Sequence, residues 1–248
     1  MAAELTLRAL EGIPLVVSGD DPADLVLAGM APHPLKSGDV FVLAQKIVSK
    51  AEGRQVDLAS VTPSPRAREL GLATDKDPRL VELILSESSE VLRVRRGILI
   101  VVHRLGFVCA NAGIDQSNVS AGALLLPKDP DRSCRQIRQS LFDKTGIDVA
   151  VLIIDSLGRA WRNGTIGTAL GVSGLPGLLD LRGVADLYGR ELQTTEIGMA
   201  DELAAAASLI MGQAAEGRPI VLARGVPYAR RDGSAAELLR PLAMDLFR

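Results

Sequence analysis

The chain is short of aromatic residues, at 3 %, and Trp161 is its single tryptophan, so a base-stacking platform for single-stranded nucleic acid has little to be built from. Cys109 and Cys134 are too few for a disulfide framework. His33 and His103 fall at no spacing with the cysteines that suits a zinc site, which leaves buried thiols as the plainer reading. A GxxxxGK[ST] phosphate loop, a GxGxxG turn after a strand, a GxSxG elbow and an HExxH helix are all missing. Neither sign of charge dominates: 28 Lys and Arg against 30 Asp and Glu give a net charge of −2, which argues against a basic nucleic-acid-coating protein. The longest uncharged stretch, 163–179, is broken throughout by Gly, Ser, Thr and Pro and makes a poor membrane span. The N-terminus carries Glu4 and no basic segment leading into a long apolar run. These absences predict a reduced, cytoplasmic protein with neither a nucleic-acid nor a membrane partner.

What is present is ordinary globular usage, 47 % hydrophobic and 23 % charged over 248 residues. Short β-branched runs alternate with helical segments, which predicts an α+β protein. Residues 1–248 are read as a single domain of two subdomains, with a boundary near 60 or 90. The best strands are Val40–Ala44, 98–102, 149–154 and 220–223, with a strand-like stretch at 107–110. Asp129-Pro130 opens a helix that places Cys134, Ile137 and Leu141 on one face, with Arg135 and Arg138 opposite, and Gly146 ends it. Asp21-Pro22 marks another helix start, and an alanine-rich helix is expected from Met199 to Ala215. Residues 62–78 read as a surface connection and flap flanking a short helix at 66–70. The glycine-dense stretch 158–183 reads as irregular backbone running close to a ligand.

Two segments carry chemistry. One apolar strand ends in Asp155-Ser156, where a carboxylate commonly holds a divalent ion bridging nucleotide phosphates; the alternative is an Asp capping the next turn. The other is the Asn111–Asn118 segment with Asp115, whose composition also suits an ordinary turn. Together Asp115 and Asp155 offer two hard oxygen ligands on separate loops. A paired-carboxylate glycosidase fits poorly with so few aromatic residues. Lys46 and Lys50, and the pair Arg159 and Arg162, favour phosphates. On spacing alone the lysines also read as a solvated strand-edge pair.

The segments GIPLV, AQKIVSKAEGR, ANAGIDQSN, IDSLGRAWRNGTIGTALGVSG, DLYGREL and MGQAAEGRP occur in this order between about Gly12 and Arg224. In them the chain resembles the coenzyme F420 gamma-glutamyl ligase family in its stand-alone form. The resemblance implies a family-specific fold of mixed sheets and helices in two subdomains, assembled as an intertwined homodimer. It implies a GDP-forming ligase that adds L-glutamate through a γ-linkage to coenzyme F420-0, with GTP as co-substrate, Mg²⁺ or Mn²⁺ as metal and K⁺ as a candidate further cation. Carried over position by position, metal ligands fall on Asp115, Asp155, Ser156 and Gln213. GTP contacts fall on Ile13, Pro14, Leu15, Val16, Gln45, Lys46, Lys50 and Asn118, and on Met211, Gly212, Gln213, Ala214, Ala215, Glu216, Gly217 and Arg218. By this resemblance relatives can carry Thr at the position of Ser156 and Glu at that of Gln213, and the neutral amide leaves the charge of the second metal position open. Lys50 and Arg159 are the candidate catalytic cations, for charge stabilisation. Glu191, Glu196 and Asp201 are weighed as acceptors of the amine proton and read as structural. A deazaflavin- or nucleotide-binding module without ligase activity, or a ligase for a related acid, are the competing readings.

Overall fold

The computed structural model describes residues 4–119 and 122–245. In chain order the elements are β1 (Thr6–Ala9), α1 (Pro22–Met30), β2 (Val40–Ala44), α2 (Gln45–Ala51), β3 (Gln55–Val56), α3 (Pro65–Thr74), α4 (Pro78–Ser86), β4 (Ser88–Arg95), β5 (Ile98–His103), β6 (Val108–Ala110), β7 (Ala123–Leu124), α5 (Pro130–Thr145), β8 (Ala150–Arg159), β9 (Arg162–Ser173), β10 (Leu179–Asp180), β11 (Glu196–Ile197), α6 (Met199–Met211) and β12 (Ile220–Arg224). This is a mixed α+β architecture with several sheets.

The central sheet runs β1-β12-β2-β8-β9. Its β2–β8 pair is parallel and its other pairs are antiparallel. The inner strands are apolar on both faces, as a sheet covered on both sides must be. Phe41, Leu43, Val151 and Ile153 pack toward α1, α2 and α5, against Val26, Ile47, Ile137 and Leu141. Their neighbours Val40, Val42, Ala150 and Leu152 pack the other way, against Leu203, Ala204 and Ala207 of α6. Each such fully buried aliphatic side chain is worth roughly 1.5–3 kcal/mol, so burial rather than helix propensity holds these layers together. A second sheet, β4-β5-β6, is backed by α3 and α4, whose Ala67, Leu70, Val81 and Ile84 bury against Leu99, Val101 and Cys109. Leu157 and Phe107 pack against both this core and the α1–α2–α5 core.

The predicted helix starts are explained by their caps. Asp21 accepts the Ala23 N–H and Asp129 accepts the Arg132 N–H, each followed by proline at the first helical position. Other expectations are corrected. Residues 62–78 are no flap: α3 runs on to Thr74 and α4 follows at once, with Leu70 and Thr74 buried. The alanine-rich helix ends at Met211, where Gly212 turns away at φ +77°, and not at Ala215. Lys46 and Lys50 sit on α2 and not on a strand edge.

The glycine-dense stretch is regular as far as Ser173, where irregular backbone was expected, and irregular over most of 174–183. β8 and β9 form one long hairpin. Its glycines serve helix packing: a Cβ on Gly167 would sit 2.3 Å from the Ala204 carbonyl oxygen, and one on Gly171 2.4 Å from Pro130 backbone. β9 is an edge strand, and helix side chains occupy its outward donors. The Gly167, Ala169 and Val172 N–H groups donate to Ser208 Oγ, Asp201 Oδ1 and Asp131 Oδ1 at 3.3, 2.8 and 2.7 Å. Asp201 thus has the structural task read for it.

Candidate active site

Ligands of α/β sheets collect beyond the carboxyl ends of parallel strands. Here β2 and β8 both end toward the same side, where Ala44 lies opposite Ile154. Because β12 runs antiparallel to β2, the loop entering β12 arrives at that side, pinned by the Ala44 N–H donating to the Pro219 carbonyl at 2.8 Å. β1 runs antiparallel to β12, so the loop leaving it arrives there too. Four chain segments far apart in sequence therefore meet around one cavity of about 1150 Å³. The fifth wall comes from the loop after β6. A smaller cavity of about 360 Å³ lies between α1, α2 and α5. Its Asp21 and Glu52 are already engaged, by Lys144 and by the Ser133 hydroxyl.

β8 does not end at Asp155. The strand continues to Arg159, and a register shift between Ile153 and Ile154 leaves Leu170 of β9 unpaired just before Asp155 lies opposite Thr168. Such a bulge bends the strand and re-aims the side chains that follow it. Asp115 comes from a segment the sequence presents as an ordinary turn. Asn111, Ala112 and Gly113 in succession hold φ of +51°, +53° and +63°, a left-handed turn that costs a non-glycine residue roughly 1–2 kcal/mol. It is over-determined: Asn111 Oδ1 accepts the Leu99 N–H at 3.0 Å, Ala112 is fully buried, and Asp115 exchanges both backbone hydrogen bonds with Leu124.

Lys46 Nζ lies 3.1 Å from Asp115 Oδ2 and 3.2 Å from Ser117 Oγ. Lys50 Nζ donates to the Asn118 carbonyl at 2.8 Å, and Asn118 Nδ2 donates to the Ala214 carbonyl at 3.2 Å. Ser156 Oγ donates to Gln213 Oε1 at 2.6 Å, joining β8 to the loop after α6. Asp155 lies in the cavity wall with enough protein around it that desolvation, followed by the charge of Asp115, pushes its carboxyl up to about 6. Lys46 and the Ser156 N–H pull it the other way without prevailing. Cys109 lies behind this pair, its thiol pushed up to about 12 by burial and by the Asp155 charge, so it is no nucleophile.

Residues 13–16, Gln45, Lys46, Lys50, Asn118 and 211–218 all line the cavity, as do Asp115, Asp155 and Ser156. Arg159, at the far end of β8, does not. Among the described residues no group of three or more His, Cys, Asp or Glu side chains is placed to hold a metal. The donors on offer are two carboxylates, a hydroxyl and an amide oxygen. Their all-oxygen chemistry suits a hard divalent cation that takes its remaining ligands from phosphates and water. Sequence reasoning took in Asn111 and Ser117 only as members of the Asn111–Asn118 segment and passed over Ser49, for which the available signal was its place one helical turn after Gln45.

The profile of a protein family, F420-0:Gamma-glutamyl ligase, matches residues 12–225. The chain is 50 % identical to the Coenzyme F420:L-glutamate ligase of Methanothermobacter thermautotrophicus over 98 % of its own length and 99 % of the relative's. It is 46 % identical to that of Methanopyrus kandleri over 98 % of both chains, and 44 % identical to that of Methanocaldococcus jannaschii over 88 % of both.

Proposed function

The chain belongs to the F420-0:gamma-glutamyl ligase family, a family of ligases, and from that premise we propose that it joins the α-amine of L-glutamate to the terminal carboxylate of coenzyme F420-0 at the cost of GTP, with γ-linkage arising where a further glutamate is added. The observation that carries the reading is the Asp115–Asp155 pair: two carboxylates close enough to raise one of them, flanked by Lys46 and Lys50, in one large cavity. A binding module has no need of such a pair.

Joining a carboxylate to an amine in water is uphill, so a leaving group must be made. The terminal carboxylate of F420-0 attacks the γ-phosphorus of GTP, the bond to the β-phosphate oxygen breaks, and GDP departs. The α-amine of glutamate then attacks the acyl carbon of the resulting acyl phosphate, and inorganic phosphate leaves as the amide forms. No protein nucleophile is required. Asp115, Asp155, Ser156 and Gln213 would hold the divalent cation, Mg²⁺ or Mn²⁺, which would offset triphosphate charge. Lys46 and Lys50 present their ammonium groups to the phosphates. The loop 211–218 and residues 13–16 enclose the nucleotide. The homodimer belongs to the same reading, and light scattering in solution tests it.

The deciding experiment is mass spectrometry of F420-0 after incubation with protein, L-glutamate, GTP and Mg²⁺ or Mn²⁺, with ATP, K⁺ and no-metal arms. A gain of glutamyl units that requires both GTP and metal is expected, and hydroxylamine is expected to trap the activated acid. A folded protein that binds F420-0 or GTP yet makes no product overturns the ligase reading in favour of a binding module.

A further inference from the structure

Gln45 and Ser49 lie one turn apart on α2, directly after the strand that delivers α2 to the cavity, and both are buried, at 1 % and 0 % accessibility. Side chains four apart on a helix are neighbours. A serine inside a helix ordinarily returns its proton to the backbone carbonyl four residues back. Ser49 instead donates to the side-chain Oε1 of Gln45 at 2.9 Å, and Gln45 Nε2 donates to Asp115 Oδ2 at 2.7 Å. The direction of the relay is forced at its far end, because an ionised carboxylate only accepts, so the amide must turn its NH₂ toward Asp115 and its oxygen toward Ser49. Among the described residues that hydroxyl is the one side-chain donor to the buried oxygen.

Lys46 Nζ also approaches Asp115 Oδ2, at 3.1 Å. Both side-chain donors to this carboxylate among the described residues thus converge on a single oxygen, and Oδ1 is left for a ligand. From this geometry we infer that Ser49 is a positioning residue: through the Gln45 amide it holds Asp115 in the orientation that presents Oδ1 to the cation. The inference rests on the proposed metal-binding role of Asp115, and it gives Gln45 a ligand-orienting task beside the nucleotide contact read for it. Groups that orient a metal ligand in this way typically govern metal affinity by about 10–100-fold.

The test is a titration with Mn²⁺ alone, read by the loss of the free-ion electron paramagnetic resonance signal. Wild type, Ser49→Ala, Gln45→Met and the double variant are compared, with a thermal melt of each. Alanine is the best helix former, so Ser49→Ala is expected to keep the fold. Ser49→Ala is expected to weaken Mn²⁺ about tenfold, Gln45→Met by that or more, and the double variant no further than Gln45→Met alone. In turnover, the concentration of metal giving half-maximal rate is expected to rise for Ser49→Ala, with the rate at saturating metal largely restored. Equal weakening by Ser49→Ala in both backgrounds, or none in either while wild type binds Mn²⁺, overturns the inference. A wild type that binds no Mn²⁺, with Asp115→Asn behaving identically, overturns the metal-site reading beneath it.

Discussion

Two enclosed carboxylates in this molecule are driven in opposite directions. Glu87, at the end of α4, has a side chain only 10 % exposed and receives Arg54 Nη2 at 2.9 Å and Arg104 Nε at 2.8 Å. Desolvation alone would raise it. The buried His103 beside it, Arg104 and Arg54 outweigh that and hold it down at about 2. Arg54 and Arg104 also donate to the carbonyls of Leu126 and Lys128, so Glu87 ties α4 to the segment entering α5. Asp155 meets a heavier desolvation, has another carboxylate for a neighbour as the next cause, and rises to about 6. The structural group has had its counter-charges built in, whereas the cavity group has been left short of positive charge, which is the condition for binding a cation.

Substitution separates the two most sharply. Asp155→Asn is expected to reduce glutamyl transfer by roughly a thousandfold or more, as loss of a metal ligand does, while the thermal midpoint holds or rises because a buried repulsion is removed. Glu87→Gln is expected to do the reverse. Stranding two arginines costs about 3 kcal/mol, which lowers the midpoint by on the order of 10 °C, with turnover per folded molecule unchanged. Calorimetry beside the glutamylation assay checks both.

The pH dependences have opposite signs. Glu87 titrates lower in the folded than in the unfolded chain, so its contribution, on the order of 2 kcal/mol, is complete above about 4.5 and is lost as pH falls toward 2. Asp155 titrates higher when folded, so its ionisation opposes folding above about 6, and acidification from 6 toward 4 relieves that cost. Cation binding needs the deprotonated form. Between pH 6 and 5, Mn²⁺ affinity is therefore expected to fall roughly fivefold, as the deprotonated share of a group titrating at about 6 does, while the melting temperature holds or rises. A melting temperature that fell in parallel would erase the distinction between the two carboxylates. Lys46→Met is expected to lower GTP affinity about tenfold with loss of a charge-assisted contact, and to move the midpoint of Mn²⁺ binding to higher pH because a cation lowering Asp155 is gone.

Much of the scaffold was legible because its signals are local. The helix starts at Asp21-Pro22 and Asp129-Pro130 are side-chain caps on adjacent backbone, and the central strands are apolar runs bounded by turns. The same locality explains the misreadings. The glycines at 167 and 171 reflect the approach of α6 and α5 to β9, partners that lie 37 and 41 residues away in the chain. Residues 62–78 look like a loop until α3 is seen covering β5. Alanine propensity favours carrying the last helix past Met211, yet the left-handed Gly212 ends it. At the site, Asp115, Asp155 and the lysines could be named from their segments and from family likeness, but the relay from Ser49 spans two residues that no linear pattern connects to Asp115.

By itself, then, the sequence determined which segments form helices and central strands, which residues carry charge and hydroxyls, and which family the chain belongs to. Only the tertiary structure decided that four segments at strand ends and the loop after β6 share one cavity, that Asp155 sits high and Glu87 low, and that one oxygen of Asp115 is held by donors while the other is left for a ligand. Propensity and capping act over three or four residues, whereas desolvation, charge repulsion and the direction of a hydrogen bond depend on neighbours in space, which folding alone brings together.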